Sequence, residues 1–262
     1  MSVVDFARFV GDLATASGQA ILPFFRTHIG MEDKSGGAVF DPVTEADRAG
    51  EVAMRRMINA QFPDHGIYGE EYGIEKADAD YVWVLDPIDG TRAFISGIPV
   101  WGTLIGLTHK GNPAYGMMHQ PYIGERFVGD GQTAHFHGAS GSRRMMTRHC
   151  EKLADATLMT TSPSLFNTSE RKAYDAIEAC VKLARYGTDC YAYCMLASGH
   201  VDFVIESGLK PYDIVALIPI IEGAGGVVTT WDGTSAAKGG QIVASGDPRR
   251  HDEVLALLRS AS

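Results

Sequence analysis

Residues 81–94, YVWVLDPIDGTRAF, constrain the fold more than any other stretch of the chain. The segment opens as an apolar, β-prone run, Tyr81-Val82-Trp83-Val84-Leu85, and then breaks into Asp86-Pro87-Ile88-Asp89-Gly90-Thr91. This predicts a buried strand that delivers two carboxylates at its carboxyl end. Pro87 stiffens the backbone between them, and Gly90 lets the chain turn where a side chain would obstruct. Asp-Gly after a strand is also an ordinary turn signal. Taken alone, the hexapeptide leaves a chemical and a structural reading open.

A chain of 262 residues buries a sizeable core, in one large domain or two closely joined halves. Its net charge of −9 argues against nucleic acid or an anionic membrane as the main partner, and bound cations would neutralise part of it. No apolar run approaches the length needed to span a bilayer. Asp5 and Asp12 interrupt the region where a signal peptide needs an apolar core, so a cytoplasmic location is expected. The cysteines, Cys150, Cys180, Cys190 and Cys194, form no Cys-x-x-Cys pair and fit a reducing compartment. Cys190 and Cys194 read as small buried apolar residues. His135 and His137 read as neighbours on a surface hairpin rather than as a metal pair.

Along the chain, apolar residues at Phe6, Val10, Leu13, Ala14, Ile21 and Phe24 predict a helix over 3–27, kinked or shortened at Pro23. Residues 30–39 read as a mobile loop. A second helix follows, with Thr44 as N-cap, Asp47 in a variant capping box, and Ala49, Val52, Ala53, Met57 and Ala60 as its buried face. From Thr103 the pattern is antiparallel β, with turn chemistry between strands, forming one broad sheet with the Val82 strand. Residues 147–153 read as an irregular, basic connection, dividing the chain into halves 1–147 and 148–262 of one catalytic unit. The second half alternates strands with helices at 170–183, 189–198, 211–223 and 248–260, implying a central sheet packed by helices.

Glu70 precedes the Asp86 loop by a short excursion that returns to the same end of the sheet. Asp213 lies in the first turn of the 211–223 helix, where an acid complements the helix dipole and is often only a cap. Several carboxylates converging at one place repel unless a cation sits among them. With oxygen ligands alone, a hard divalent ion is implied, Mg²⁺ first.

The motif WVLDPIDGT over 83–91, with Gly69-Glu70-Glu71 upstream, Asp41-x-x-Thr44-x-x-Asp47 earlier still, and Asp213 before a helix ending Glu-Gly-Ala-Gly-Gly, resembles the inositol monophosphatase superfamily. The resemblance covers nearly the whole chain. It implies an α-β-α-β-α layered sandwich, a homodimer, and hydrolysis of small phosphate monoesters with two or three Mg²⁺ ions. By the same resemblance Glu70, Asp86, the Ile88 carbonyl, Asp89 and Asp213 hold the metal. Glu70 and Thr91 orient and deprotonate the attacking water, and the N–H groups of Gly90 and Thr91 take the phosphate oxygens. No covalent phosphoenzyme is implied.

Within the superfamily, the stretches RYGTDCYAY and ESGLKPYD are most similar to the histidinol-phosphate phosphatase branch. Inositol phosphatases typically carry a small apolar residue where Asp189 stands and a Trp where Tyr212 stands. Histidinol phosphate bears an ammonium and a titratable imidazole, which acids at Asp189 and Glu206 would suit. Asp189 also reads as a helix N-cap. Arg185 reads as placing Glu206 or the substrate, or as a structural ion pair. The alternatives are a phosphatase for inositol or other sugar phosphates, and a non-catalytic binding protein that keeps the fold.

Overall fold

The computed structural model describes residues 3–27, 31–33 and 42–261. The first half contains α1 (Val3–Ile21), β1 (Met31–Asp33), β2 (Pro42–Thr44), α2 (Glu45–Gln61), β3 (Gly66–Gly69), β4 (Gly73–Glu75), β5 (Tyr81–Asp89), α3 (Thr91–Ile95), β6 (Gly102–His109), β7 (Asn112–Gln120), β8 (Glu125–Gly129), β9 (Ala134–Gly138) and β10 (Gly141–Arg144). The second contains β11 (Thr157–Thr160), α4 (Thr168–Glu178), β12 (Leu183–Tyr186), α5 (Asp189–Ala197), β13 (Phe203–Leu209), α6 (Pro211–Ile214), α7 (Leu217–Gly223), β14 (Val227–Thr230), β15 (Gly240–Ser245) and α8 (Pro248–Ala261). Of the loop expected over 30–39, the described part, Met31–Asp33, is a short strand paired with Pro42–Thr44; the remainder lies outside the described residues.

The expected five-layer sandwich is what the chain builds. An eight-stranded sheet runs β10-β9-β8-β7-β6-β5-β3-β4, and a five-stranded sheet runs β12-β11-β13-β15-β14. Alternation along each strand sorts side chains between layers. Ile105 and Met117 face α1 and α2 with Val10, Leu13, Met54 and Ile58. Their neighbours Leu104 and Met118 face the middle layer, where α5 and α7 pack between the two sheets. The far face of the smaller sheet, with Leu158, Phe203 and Val243, is covered by α4 and α8.

Helix α1 ends at Ile21 and tightens into a 3₁₀ turn over Leu22–Phe24, the shortening that Pro23 predicts. The capping box of Thr44 and Asp47 forms as expected: the Asp47 carboxylate accepts from Thr44 N–H at 2.8 Å. The buried face of α2 does not. Ala46, Gly50, Glu51, Met54, Arg55 and Ile58 are buried, whereas Val52 is 50% exposed. The apolar pattern misplaced this face because two charged residues, Glu51 and Arg55, turn inward where the structure supplies them partners.

The helix expected over 170–183 is α4, Thr168–Glu178, and Leu183 already belongs to β12; two more boundaries differ from expectation at prolines. Strand β5 does not stop at Leu85; it runs to Asp89 with a register shift between Asp86 and Asp89 against β6. Pro87 has no N–H to offer the ladder and sits in that irregularity, while its carbonyl accepts from the Thr103 hydroxyl at 2.8 Å. The single helix expected over 211–223 is two, α6 and α7. Pro219 removes the N–H that would bond Val215, so the helix is interrupted between Ile214 and Leu217.

That interruption lies close against the large sheet. Gly106 and Gly116 pair across β6 and β7. A Cβ on Gly116 would sit 1.8 Å from the Ala216 carbonyl oxygen, and one on Gly106 would sit 3.1 Å from the Ala216 nitrogen. Only glycine admits so near a backbone. The approach lets α6, which carries Asp213, pack on β5.

Candidate active site

Strands β3 and β5 are parallel neighbours, with Gly69 opposite Leu85. The residues that follow, Glu70 and Asp86, therefore leave the same end of the sheet side by side, and Glu70 N–H still donates to the Leu85 carbonyl at 3.1 Å. Asp86 is buried, 2% exposed, and one carboxylate oxygen accepts from Ile88 N–H at 2.9 Å. Asp89 follows at the end of the strand, where a carboxylate oxygen accepts from Cys190 N–H at 2.6 Å. An acid of the first half thus satisfies the amino terminus of α5 in the second. Asp213 arrives on α6, its carboxylate accepting from Lys210 N–H at 2.6 Å. Ligand oxygens of Asp86, Asp89 and Asp213 all lie within 4.8 Å of one another.

Gly90 has φ +87°, a left-handed conformation that glycine adopts without cost. It is also crowded: a Cβ there would lie 3.0 Å from the Asp189 carboxyl carbon. Thr91 opens α3 directly after it and donates its hydroxyl to the Ile88 carbonyl at 3.1 Å.

One cavity of about 480 Å³ collects these groups. Glu70, Asp86, Ile88, Asp89, Gly90, Thr91, Asp189, Glu206 and Asp213 all line it. Glu206 is buried in the middle of β13, where its register against β15 shifts, and accepts from Thr161 N–H at 2.7 Å and from the hydroxyls of Thr161 and Thr160 at 3.0 and 3.2 Å. Asp189 does not act as the side-chain cap of α5; Thr188 holds the N-cap position, with no side-chain cap bond. Asp189 instead has φ +42°, strained for a residue with a Cβ, and its carboxylate faces the Thr161 side chain and Arg92. Arg185 lies apart, exposed on the edge strand β12 and not among the residues that line the cavity. Threonines rather than Arg185 hold Glu206, because the guanidinium is on an edge strand while Glu206 points inward between β11 and β15.

Burial and crowding act on these acids together. Asp86 is pushed well above the usual carboxylate range, first by burial and then by Glu70, Asp89 and Asp213. Asp89 is pushed up as well, by burial, Asp189 and Asp213, and Cys190 N–H opposes this only partly. Burial raises Asp189 to about 6 and Glu206 to about 8. A group of acids that raise one another is a site for a cation, and its all-oxygen donor set suits a hard ion of the Mg²⁺ class. Among the described residues His135 and His137 join no metal-binding group, and Cys190 and Cys194 are buried.

Arg92, Thr161, Lys210 and Tyr212 also line the cavity. Sequence reasoning gave none of them a site role. Arg92 was detectable from its place beside the Gly90-Thr91 turn. Thr161 carries no local signal, since its place depends on the adjacency of β11 and β13.

The comparisons agree with this geometry. The model of the inositol monophosphatase family matches residues 4–262. The chain is 47% identical to the Bifunctional phosphatase IMPL2, chloroplastic, of Arabidopsis thaliana, over 97% of this chain and 75% of that protein. It is 31% identical to the Histidinol-phosphatase of Chlorobaculum parvum, over 94% of each. Its fold matches a solved inositol monophosphatase from Zymomonas mobilis with a TM-score of 0.88 and 39% identity, over 99% of each chain. A layered sandwich, an acid cluster at paired strand ends and a match along almost its full length together make this chain a phosphatase of the inositol monophosphatase family.

Proposed function

We propose that the enzyme hydrolyses L-histidinol phosphate to L-histidinol and phosphate, a step of histidine biosynthesis, with Mg²⁺ in the acid cluster. The observation that carries this reading is that Asp189 and Glu206 line the same cavity as Asp86, Asp89 and Asp213. Acids can accept from the hydroxyls of a polyol too, but an ammonium and an imidazolium also gain a charge-assisted pairing from Asp189 and Glu206. The name of the Chlorobaculum relative points the same way.

On this reading Glu70, Asp86, the Ile88 carbonyl, Asp89 and Asp213 hold the metal. When bound, it neutralises their charge and that of the phosphate and makes water more acidic. Glu70 and the Thr91 hydroxyl hold the attacking water, and the Glu70 carboxylate receives its proton. The N–H groups of Gly90 and Thr91 bind phosphate oxygens. Asp189 accepts hydrogen bonds from the cationic end of the substrate, and a cation there favours the ionised form of Glu206 beside it. Because Asp86 and Asp213 come from different halves, 1–147 and 148–262 act as one catalytic unit in this proposal. A homodimer is part of it too, supported by Ile98 and Tyr122, 51% and 47% exposed on the surface that Arg26 ties together. So is a cytoplasmic location; among the described residues no helix is long and apolar enough to cross a membrane.

Phosphate release from histidinol phosphate and from inositol phosphate, each with Mg²⁺, tests the assignment. A kcat/KM that favours histidinol phosphate is expected. Preference for the inositol ester would overturn it and favour the second reading, a broader phosphatase, for which the bifunctional description of the Arabidopsis relative speaks.

A further inference from the structure

Outside the acid cluster, a buried ion pair lies behind Glu70. Glu51 is fully buried on α2, one side of a sheet whose other side faces the middle layer. Its carboxylate accepts from Glu71 N–H at 2.7 Å and from Tyr72 N–H at 3.1 Å. It also sits directly on the backbone before Glu70: a Cβ on Gly69 would lie 1.9 Å from Glu51 Oε1. Arg55, one helical turn on, donates Nε–H to Glu51 at 2.7 Å, and its other nitrogens reach the Glu75 carboxylate at 2.7 Å and the Gly73 carbonyl. The pair therefore touches residues 69, 71, 72, 73 and 75. Glu70, in the middle, is the residue whose neighbourhood it defines without using its side chain.

This segment needs such support. Strand β4 is the edge of the eight-stranded sheet, and the β3–β4 turn is held by only a three-residue ladder. Edge strands and tight turns open most easily. A buried carboxylate and guanidinium are costly unless paired and hydrogen-bonded, and here that pairing is completed by backbone groups flanking Glu70. The cost is recovered only when the turn has its present shape.

We infer that Glu51 and Arg55 are positioning residues that hold the Glu70 carboxylate beside Asp86 and so set the affinity of the cluster for its cation. The inference rests on the reading of Glu70 as a metal ligand. It is tested by measuring Mn²⁺ binding by electron paramagnetic resonance, together with the Mg²⁺ dependence of phosphate release, for the parent, Glu51→Gln and Arg55→Lys. Groups that orient a ligand typically carry about 10–100-fold in metal affinity, so Glu51→Gln should weaken Mn²⁺ binding and raise the Mg²⁺ half-saturation by about tenfold. Turnover at saturating Mg²⁺ should fall by less than the Mg²⁺ affinity does, because the bound metal draws Glu70 back towards Asp86. Arg55→Lys, which keeps charge and one donor, should fall between.

Folded variants that bind Mn²⁺ as the parent does, with only a lowered melting temperature, would make the pair structural and overturn the inference. A parent that itself binds no Mn²⁺ would overturn the metal reading, and the inference with it. If Glu51→Gln fails to fold, Glu75→Gln decides beside Arg55→Lys, since Glu75 is the half-exposed outer partner of Arg55. Unchanged Mn²⁺ affinity in both would again overturn it.

Discussion

Asp86 and Asp247 are each 2% exposed, yet their carboxyls are pushed in opposite directions. Asp247 is held well below the usual range, because Arg249 forks onto both of its oxygens at 2.9 and 2.6 Å and Cys150 N–H donates at 2.9 Å. Asp86 is pushed up, because burial is compounded by Glu70, Asp89 and Asp213. Both carboxyls are shut off from solvent, but Asp86 is the more deeply set, and the sign of the neighbours widens the difference. One acid is complete within the chain. The other is set among acids, and a bound cation would supply its counter-charge.

The contrast makes opposite demands on stability and activity, and mutations should separate them. Asp86→Asn should reduce phosphate release by more than the roughly 100-fold that marks loss of a ligand-orienting group. It should also raise the melting temperature of metal-free protein, since it removes one of the repelling acids. Full activity in this variant would break the comparison.

Asp247→Ala should do the reverse. It strands the buried Cys150 N–H, at a cost of about 1–3 kcal/mol in a denaturant titration, with kcat/KM unchanged at temperatures where the protein is folded. Asp189→Ala sharpens the picture of the cavity. It should raise the KM for histidinol phosphate by about tenfold, as expected for one charge-assisted hydrogen bond, and leave an aryl phosphate nearly untouched. Equal losses on both would leave Asp189 no part in substrate selection.

The smallest effect is expected from Glu206→Gln. Glu206 keeps its proton up to about pH 8 when folded and releases it in the ordinary glutamate range when unfolded. The folded state binds the extra proton, so stability is greatest at low pH and is lost as pH rises through about 8. His65, His119 and His251, all lowered by burial, act in the other sense, but only below the ordinary histidine range. Between about pH 6.5 and 8.5 the melting temperature of metal-free parent should therefore fall, and the variant should show a shallower slope. Identical slopes would refute the proton on Glu206.

The strand periods, the turns and the Thr44–Asp47 capping box were legible because each is a local pattern, satisfied within a few residues. The Asn167–Glu170 box that starts α4 was equally local and was overlooked in favour of a start at Glu170. The interruption by Pro219 was written in the chain as well. The face of α2 was not legible. Glu51 and Arg55 look like solvent residues until the β3–β4 turn is folded against them, and no spacing rule reports a partner twenty residues away. Arg185 misled for the converse reason: Asp189, four residues on, lines the cavity, but β12 is an edge strand and carries Arg185 outward.

The sequence by itself determined the reaction centre: an apolar strand ending in Asp86 and Asp89, with Gly90 to turn the chain, is specified by adjacent residues. Tertiary structure decided which distant acids join it. Glu70 arrives because β3 lies parallel to β5, Asp213 because glycines let α6 come down on the large sheet, and Asp189 and Glu206 because the second sheet faces the same cavity. Carboxylates that repel do not assemble on their own account. The packing of two sheets about a shared helical layer forces them together, and the resulting charge is what a cation and a cationic substrate would answer.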